Sequence, residues 1–279
     1  MSIQIITDSG ADIPQEHLDA YGIKMVPLEV SFGPEEIYLD RVTISAEEFW
    51  RRMESSPSLP KTSQPSPQQF VEVFRQALTR GSVFCVSLSS GLSGTYQSAC
   101  MAAKMLGHPK HLKVLDSLNG SVGQALLVIR AAQLAGEGIS LSRLVETITS
   151  YRDRVTTIIT LNTLENIVRG GRLSRIQGMM GNILDIKLIM RNSRDGKVEL
   201  LEKVRGRKNA LARILRLMQE MGGDLSGKII GISHLDCLQE ALEFKRQLIE
   251  RYSPKDVMVC PMGSTMGTYA GKGGMIISF

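Results

Sequence analysis

A short apolar run, Val83-Phe84-Cys85-Val86-Ser87-Leu88, passes into Ser89-Ser90-Gly91-Leu92-Ser93-Gly94-Thr95, and a helical pattern follows from Tyr96 to Leu106. A strand feeding a Ser/Gly/Thr turn and then a helix restricts the chain to folds that set such turns beside a sheet. It also makes a small-anion site, because glycine lets backbone approach a ligand and the first helical N–H groups are free to donate. No Lys follows Gly94, so the turn is not a nucleotide P-loop. The anion is expected to be held by neutral donors.

Elsewhere, strand-like runs alternate with amphipathic helical patterns, which predicts an α/β fold. In the first half, strands are expected near Ile3–Thr7, Ile23–Pro27, Val83–Leu88 and Leu112–Leu115. Ser45 with Glu48 and Ser66 with Gln69 read as capping boxes, and Asp12 reads as the cap of a short helix that starts at Pro14 and stops near Gly22. Helices are also expected over Ser121–Ala135 and Leu141–Arg154.

In the second half, strands are expected at Val155–Leu161, Ile186–Arg191, Val198–Val204, Ile229–Ser233, Val257–Cys260 and Met275–Phe279. Asp195-Gly196 marks a hairpin between two of them. Helices are expected at Asn162–Arg169, with Asn162 and Glu165 as a capping box, and at Arg207–Met221 and Asp236–Tyr252. The strand pattern changes from all-parallel to mixed near residue 153, so two α/β domains are expected: a mostly parallel one over 1–153 and a mixed one over 154–279, with the ligand between them.

Composition narrows the function classes. The 279 residues are 43% hydrophobic, enough for real cores, yet no apolar stretch approaches the roughly 18 residues needed to span a bilayer. The N-terminus shows no basic region or cleavage site, and Cys85, Cys100, Cys237 and Cys260 have no metal spacing. A cytoplasmic protein with reduced thiols, no cofactor and no metal is expected. Net charge is +5, but Glu165 to Arg216 alone carries 13 Lys/Arg against 5 Asp/Glu. That segment is either a solvated face or a docking surface for an anionic partner. It has no aromatic residue to stack bases, so nucleic acid is not expected.

Three polar turns after strands could meet at one crevice: Thr7 to Asp12, Ser89 to Thr95, and Asp116-Ser117 through Ser121. Lys61-Thr62-Ser63-Gln64-Pro65-Ser66-Pro67 reads as an extended loop entering a capped helix. Each alone is ordinary turn chemistry. Together with Arg169-Gly170-Gly171-Arg172-Leu173-Ser174 and Val204-Arg205-Gly206-Arg207-Lys208, in this order, the chain resembles the DegV family of bacterial fatty-acid-binding proteins along essentially its whole length.

That resemblance implies a protein that holds one long-chain fatty acid between two α/β domains and presents its carboxylate to a separate ATP-dependent fatty acid kinase. It implies that Thr62 and Ser93 donate to the carboxylate, with Ser63, Gly94, Thr95 and Tyr269 close by. It implies that Arg205, with Arg172 and Arg207, faces the kinase and, transiently, an anionic membrane surface. Tyr269 stands where the family usually has His. Tyr still donates a hydrogen bond but cannot become a cation near neutral pH.

The chemistry suits the residue types. An aliphatic tail of about sixteen carbons buries ~14 methylenes, roughly 11 kcal/mol of gross transfer energy. Affinity then comes from the tail and orientation from the head group. Met179, Met180, Met262 and Met266 are placed in loops or near Gly, where they would line a tunnel or simply fill core.

Two rival readings remain at this point: a fatty acid carrier with no kinase partner, and a serine hydrolase. Gly91-Leu92-Ser93-Gly94-Thr95 lacks only the last Gly of a nucleophile elbow, and His234, at a strand end, is the one plausible base among His17, His108, His111 and His234.

Overall fold

A computed structural model describes residues 2–108, 110–173 and 185–279. Ser174, Met179 and Met180 lie outside the described residues.

The first half runs β1 (Ile3–Asp8), α1 (Gln15–Tyr21), β2 (Lys24–Val26), β3 (Glu29–Gly33), β4 (Glu36–Leu39), α2 (Ala46–Ser55), β5 (Lys61–Ser63), α3 (Pro67–Leu78), β6 (Ser82–Ser87), α4 (Thr95–Leu106), β7 (Leu112–Asp116), α5 (Ser121–Gly136) and α6 (Leu141–Arg152). The second half runs β8 (Thr157–Leu161), α7 (Glu165–Arg169), β9 (Ile186–Asn192), β10 (Val198–Arg205), α8 (Arg207–Gly222), β11 (Ile229–His234), α9 (Leu238–Tyr252), β12 (Asp256–Pro261), α10 (Ser264–Ala270) and β13 (Met275–Ser278).

Three sheets result. A four-stranded parallel sheet has the order β2-β1-β6-β7, and a six-stranded mixed sheet has the order β10-β9-β8-β13-β11-β12. The third is a small antiparallel sheet, β4-β3-β5. It corrects the expectation of an all-parallel first half, and it turns Thr62 and Ser63 from loop into strand, with Thr62 paired to Val30.

Layering follows from which strands are apolar on both faces. Every residue of β6 is buried, as a strand covered by helices on both sides requires. On one face of the parallel sheet, Ile6, Val83 and Cys85 pack with Phe70 and Phe74 of α3 and Ala99 and Ala102 of α4. On the other face, Ile5 and Phe84 join α5, and the same apolar cluster continues to Ile159, Met190 and Ile276 of the mixed sheet. Beyond that sheet, Ile158, Ile189 and Ile277 meet Ile214 of α8 and Phe244 of α9. α5 is therefore the middle layer, and its residues are buried around the whole circumference from Ser121 to Ile129.

Local start signals are used where the sequence places them. Ser45 accepts from the Glu48 N–H at 3.1 Å, and Ser66 and Gln69 form a full capping box before Pro67. Two expected caps are absent. Asp12 does not cap α1, whose N-cap is Pro14, because its carboxylate is buried against α5 and the start of α10. Asn162 does not cap α7 either; the Glu165 N–H goes to Thr163 Oγ1 at 3.2 Å. Cys85 and Cys260 are buried thiols, with burial pushing both up in pKa. None of the described helices is long and apolar enough to cross a membrane.

Candidate functional site

A cavity of about 340 Å³ lies between the parallel and mixed sheets, within the range of small-molecule sites, about 300–1,000 Å³. Leu88, Leu92, Leu118, Ile159, Leu161, Ile167 and Ile276 give it apolar walls. Thr62, Ser63, Gln64, Ser93, Gly94, Arg172 and Tyr269 gather their polar groups along the same cavity.

The polar side is built from three elements. The turn after β6 closes through Leu92 and Ser93 N–H groups that both donate to the Ser89 carbonyl, at 3.0 and 3.1 Å. This leaves Gly94 as the N-cap of α4 with no side chain capping the helix, so the α4 start faces the cavity. Ser93 Oγ and Thr95 Oγ1 share a hydrogen bond of 2.9 Å. Thr95 is wholly buried and does not line the cavity, so it orients Ser93. β5 brings Thr62, and α10 brings Tyr269. Their hydroxyls meet at 2.5 Å across 207 residues of sequence. Gln64 lies over Gly94, where any added Cβ would collide with its amide, and its Nε2 donates to Ser98 Oγ at 3.0 Å.

Arg172 lies on the cavity wall. Its guanidinium lies 4.9 Å from the Tyr269 ring centre, and it donates to the Gly170 carbonyl at 2.6 Å and to the Leu92 carbonyl at 3.4 Å. Tyr269 in turn packs flat enough on Gly170 that a Cβ there would come within 2.3 Å of the ring. Arg172 and Lys197 both line the cavity, so its polar residues are not all neutral; Arg172 lies beside Tyr269, and the Lys197 ammonium is paired to Asp195 at 2.7 Å.

Arg207 is also held within the fold. It is paired to Glu240 at 2.5 Å and donates to the Gly273 carbonyl and Thr160 Oγ1, which commits the guanidinium to binding α8 to α9. Arg205 is different: it is exposed, and its side chain has no partner among the described residues. Met266 lines the cavity from α10 rather than from a loop, and Met262 is fully buried.

Of the three polar turns, two meet at the cavity. Ser93 and Gly94 come from one, Leu118, Asn119 and Gly120 from the other. The Thr7–Asp12 turn does not reach it. Asp8 there accepts from the Leu88 N–H, Ser87, Gly10 and Gln124, and burial raises its pKa despite those bonds. Asp12 accepts from Ser121 at 2.6 Å and from the Gly263 N–H at 2.7 Å. Burial pushes Asp12 up to about 7, with the neighbouring Asp40 adding to the rise and Ser121, Gly263 and Arg41 opposing it.

Three lining residues carried no sequence signal as site residues: Lys197, Thr265 and Asn192. Lys197 follows the Asp195-Gly196 hairpin turn, whose Gly196 carbonyl accepts from Ser89 Oγ at 2.7 Å. The hairpin signal could have placed it, since that close approach tolerates only glycine.

A second cleft of about 940 Å³ holds Trp50, Arg207, His234, Asp236, Cys237 and Lys272. His234 is buried there with no partner on Nδ1, and burial lowers its pKa. It does not line the cavity that Ser93 lines, and no histidine does among the described residues. The hydrolase reading therefore lacks its base. No group of described His, Cys, Asp or Glu residues could hold a metal ion.

Comparison with known proteins accords with this architecture. The sequence profile of the DegV family matches residues 2–279. A DegV domain-containing protein of Caldanaerobacter subterraneus is 36% identical over 270 residues, covering 96% of this chain and 95% of its own. Among solved structures, a DegV-family protein of Ruminococcus gnavus with vaccenic acid is similar at a TM-score of 0.92 and 28% identity, with both chains covered fully. DegV of Bacillus subtilis, a fatty acid binding protein, is similar at a TM-score of 0.89 and 29% identity, covering 100% of this chain and 98% of its own. With the family profile spanning all but the first residue, this chain belongs to the DegV family.

Proposed function

We propose that the cavity binds a long-chain fatty acid, its carboxylate at Thr62, Ser93 and Tyr269 and its tail along the Leu/Ile walls. The observation that carries this is the joining of hydroxyl donors and apolar walls in one cavity between the sheets. Solved relatives that bind fatty acids support it. A carboxylate taken from water needs donors, and the three hydroxyls, the α4 start and the neighbouring Arg172 supply them.

The finer reading is that the chain presents this carboxylate to a separate ATP-dependent kinase for acyl-phosphate formation and does no catalysis itself. Hydroxyl donors fix one carboxylate oxygen and leave the other nucleophilic. Arg205, exposed and unpaired among the described residues, is the cation that would meet the kinase. Transient contact with an anionic membrane surface belongs to the same proposal. A carrier without a kinase partner is the second reading. It is favoured by Tyr269, which engages Thr62 and cannot supply a positive charge there.

Mass spectrometry of an organic extract of the purified protein tests the ligand class: one long-chain fatty acid per chain is expected, and a protein free of lipid that also refuses added fatty acid would sink it. Reconstitution with a fatty acid kinase separates the two finer readings. Acyl phosphate that is lost in Ser93→Ala supports presentation, and no acyl phosphate with any kinase supports the carrier.

A further inference from the structure

α10 carries Thr265, Met266 and Tyr269 into the cavity, yet it is short and has no cap of its own. Its N-cap is Gly263, which offers no side chain. The cap arrives from more than two hundred residues away. Asp40, fully buried just beyond β4, accepts from the Ser264 N–H at 2.8 Å, Ser264 Oγ at 2.6 Å, the Thr265 N–H at 3.3 Å and Thr265 Oγ1 at 2.8 Å. Both carboxylate oxygens are used, each by one N–H and one hydroxyl. Gly263 allows the approach, because a Cβ there would sit 2.9 Å from Asp40 Oδ1.

The far end of α10 returns to the same small sheet. Asp40 follows β4, and Thr62 lies in β5, both joined through β3. Tyr269 lies five residues along the helix from Ser264, about 7.5 Å at 1.5 Å per residue. The helix is thus pinned to one sheet at two points, by Asp40 at its start and by Thr62 at Tyr269. Fixing the first point fixes the reach of the second. We infer that Asp40 is a positioning residue of the ligand site: it seats α10 and thereby sets the contact between Tyr269 and Thr62. The inference deepens the fatty-acid reading and rests on it.

Asp40→Asn tests this in the full chain, since the amide turns an NH₂ toward groups that are themselves donors. In delipidated protein, palmitate binding by calorimetry should weaken about ten-fold. A merely structural role would give the same loss whatever occupies position 269. Acting through Tyr269, Asp40→Asn should instead cost less than about two-fold on a Tyr269→Phe background, because the contact it sets is already gone. If Asp40→Asn fails to fold, Ser264→Ala removes one of the four donors without touching the cavity, and should show a smaller loss with the same dependence on Tyr269. Wild-type affinity in the folded variant, or equal losses on both backgrounds, overturns the inference.

A ligand-free measurement keeps it separate from the fatty-acid reading. Hydrogen exchange in Asp40→Asn should rise in the peptide covering Ser264–Ala270 and also in the one covering Lys61–Ser63. Failure of the wild type to take palmitate counts against the fatty-acid reading, whereas unchanged exchange at Lys61–Ser63 counts against the role of Asp40.

Discussion

Two turns of similar composition follow neighbouring parallel strands, and they end up with opposite tasks. The turn after β1 contains Asp8, Ser9 and Asp12, all essentially without solvent exposure. The turn after β6 contains Ser93 and Gly94, half-buried on the cavity wall. The first spends its acceptors inward: Asp8 on β6 and α5, Asp12 on α5 and α10. The second has no carboxylate of its own: it closes mainly on its own Ser89 carbonyl and on Thr95, and leaves Ser93 and Gly94 on the cavity wall. Composition made both turns candidates for a ligand. The presence of buried carboxylates made one of them a structural joint.

Breaking the joint should have the largest effect. Asp8→Ala strips the acceptor from the Leu88 and Gly10 N–H groups, from Ser87 and from Gln124. Gln124 keeps Thr7 Oγ1 and the Val86 carbonyl, so at about 1–3 kcal/mol for each of the other three buried donors a loss of roughly 3–9 kcal/mol is expected in urea unfolding. Fatty acid affinity per folded molecule should stay the same.

The second effect concerns pH. Asp12 is raised from 3.8 to about 7, so the folded state holds its proton more tightly than the unfolded chain. Its contribution to stability is full below about pH 4 and is lost as pH rises through about 7. The groups that face it are Asp40, Arg41, Ser121 (itself bonded to Ser233) and the Gly263 N–H, with Cys260 Sγ on its carbonyl. Asp12→Asn should flatten this part of the profile, a difference of up to about 4 kcal/mol between pH 4 and 7.5. Asp195 and Glu243, lowered to about 2 by Lys197 and Arg246, act in the opposite sense but only toward pH 2. Parallel profiles for variant and wild type would argue that Asp12 is not the titrating group.

The smallest effect on stability should come from the open turn. Ser93→Ala should change unfolding by no more than about 0.5 kcal/mol, because its hydroxyl contacts only Thr95. Palmitate affinity should nevertheless fall about five-fold, near the 1 kcal/mol of one hydrogen bond. A large stability loss would erase the distinction between the two turns.

What the sequence made legible was local. The Ser45 cap, the capping box at Ser66, the Asp195-Gly196 hairpin and the buried strand at Val83 all rest on residues a few positions apart, and each appears in the fold, although at Ser45 the Glu48 side chain turns to Arg52 instead of closing the box. α10 was missed because its signals are remote: Gly267 weakens its helical propensity and its cap is Asp40. Asp12 was misread for the same reason, its partners lying 109 and 251 residues away. The pairing of Arg207 with Glu240, 33 residues on, likewise has no local signal. In the site, Thr62, Ser63, Ser93, Gly94 and Tyr269 lie on one cavity. The inward turn of Arg172 depended on how the segment after α7 folds back onto Leu92 and Tyr269, which no short motif records.

α5 has one further consequence. Its contacts run to β1 on one side and to β11 and β13 on the other, so it serves as inner wall to both large sheets at once. A helix greasy on every side has no wet face on which the halves could swing apart. Exchanging the guest by splitting the molecule open would bare that whole rod to water. Any route for a guest is therefore expected to leave this central rod packed against both sheets.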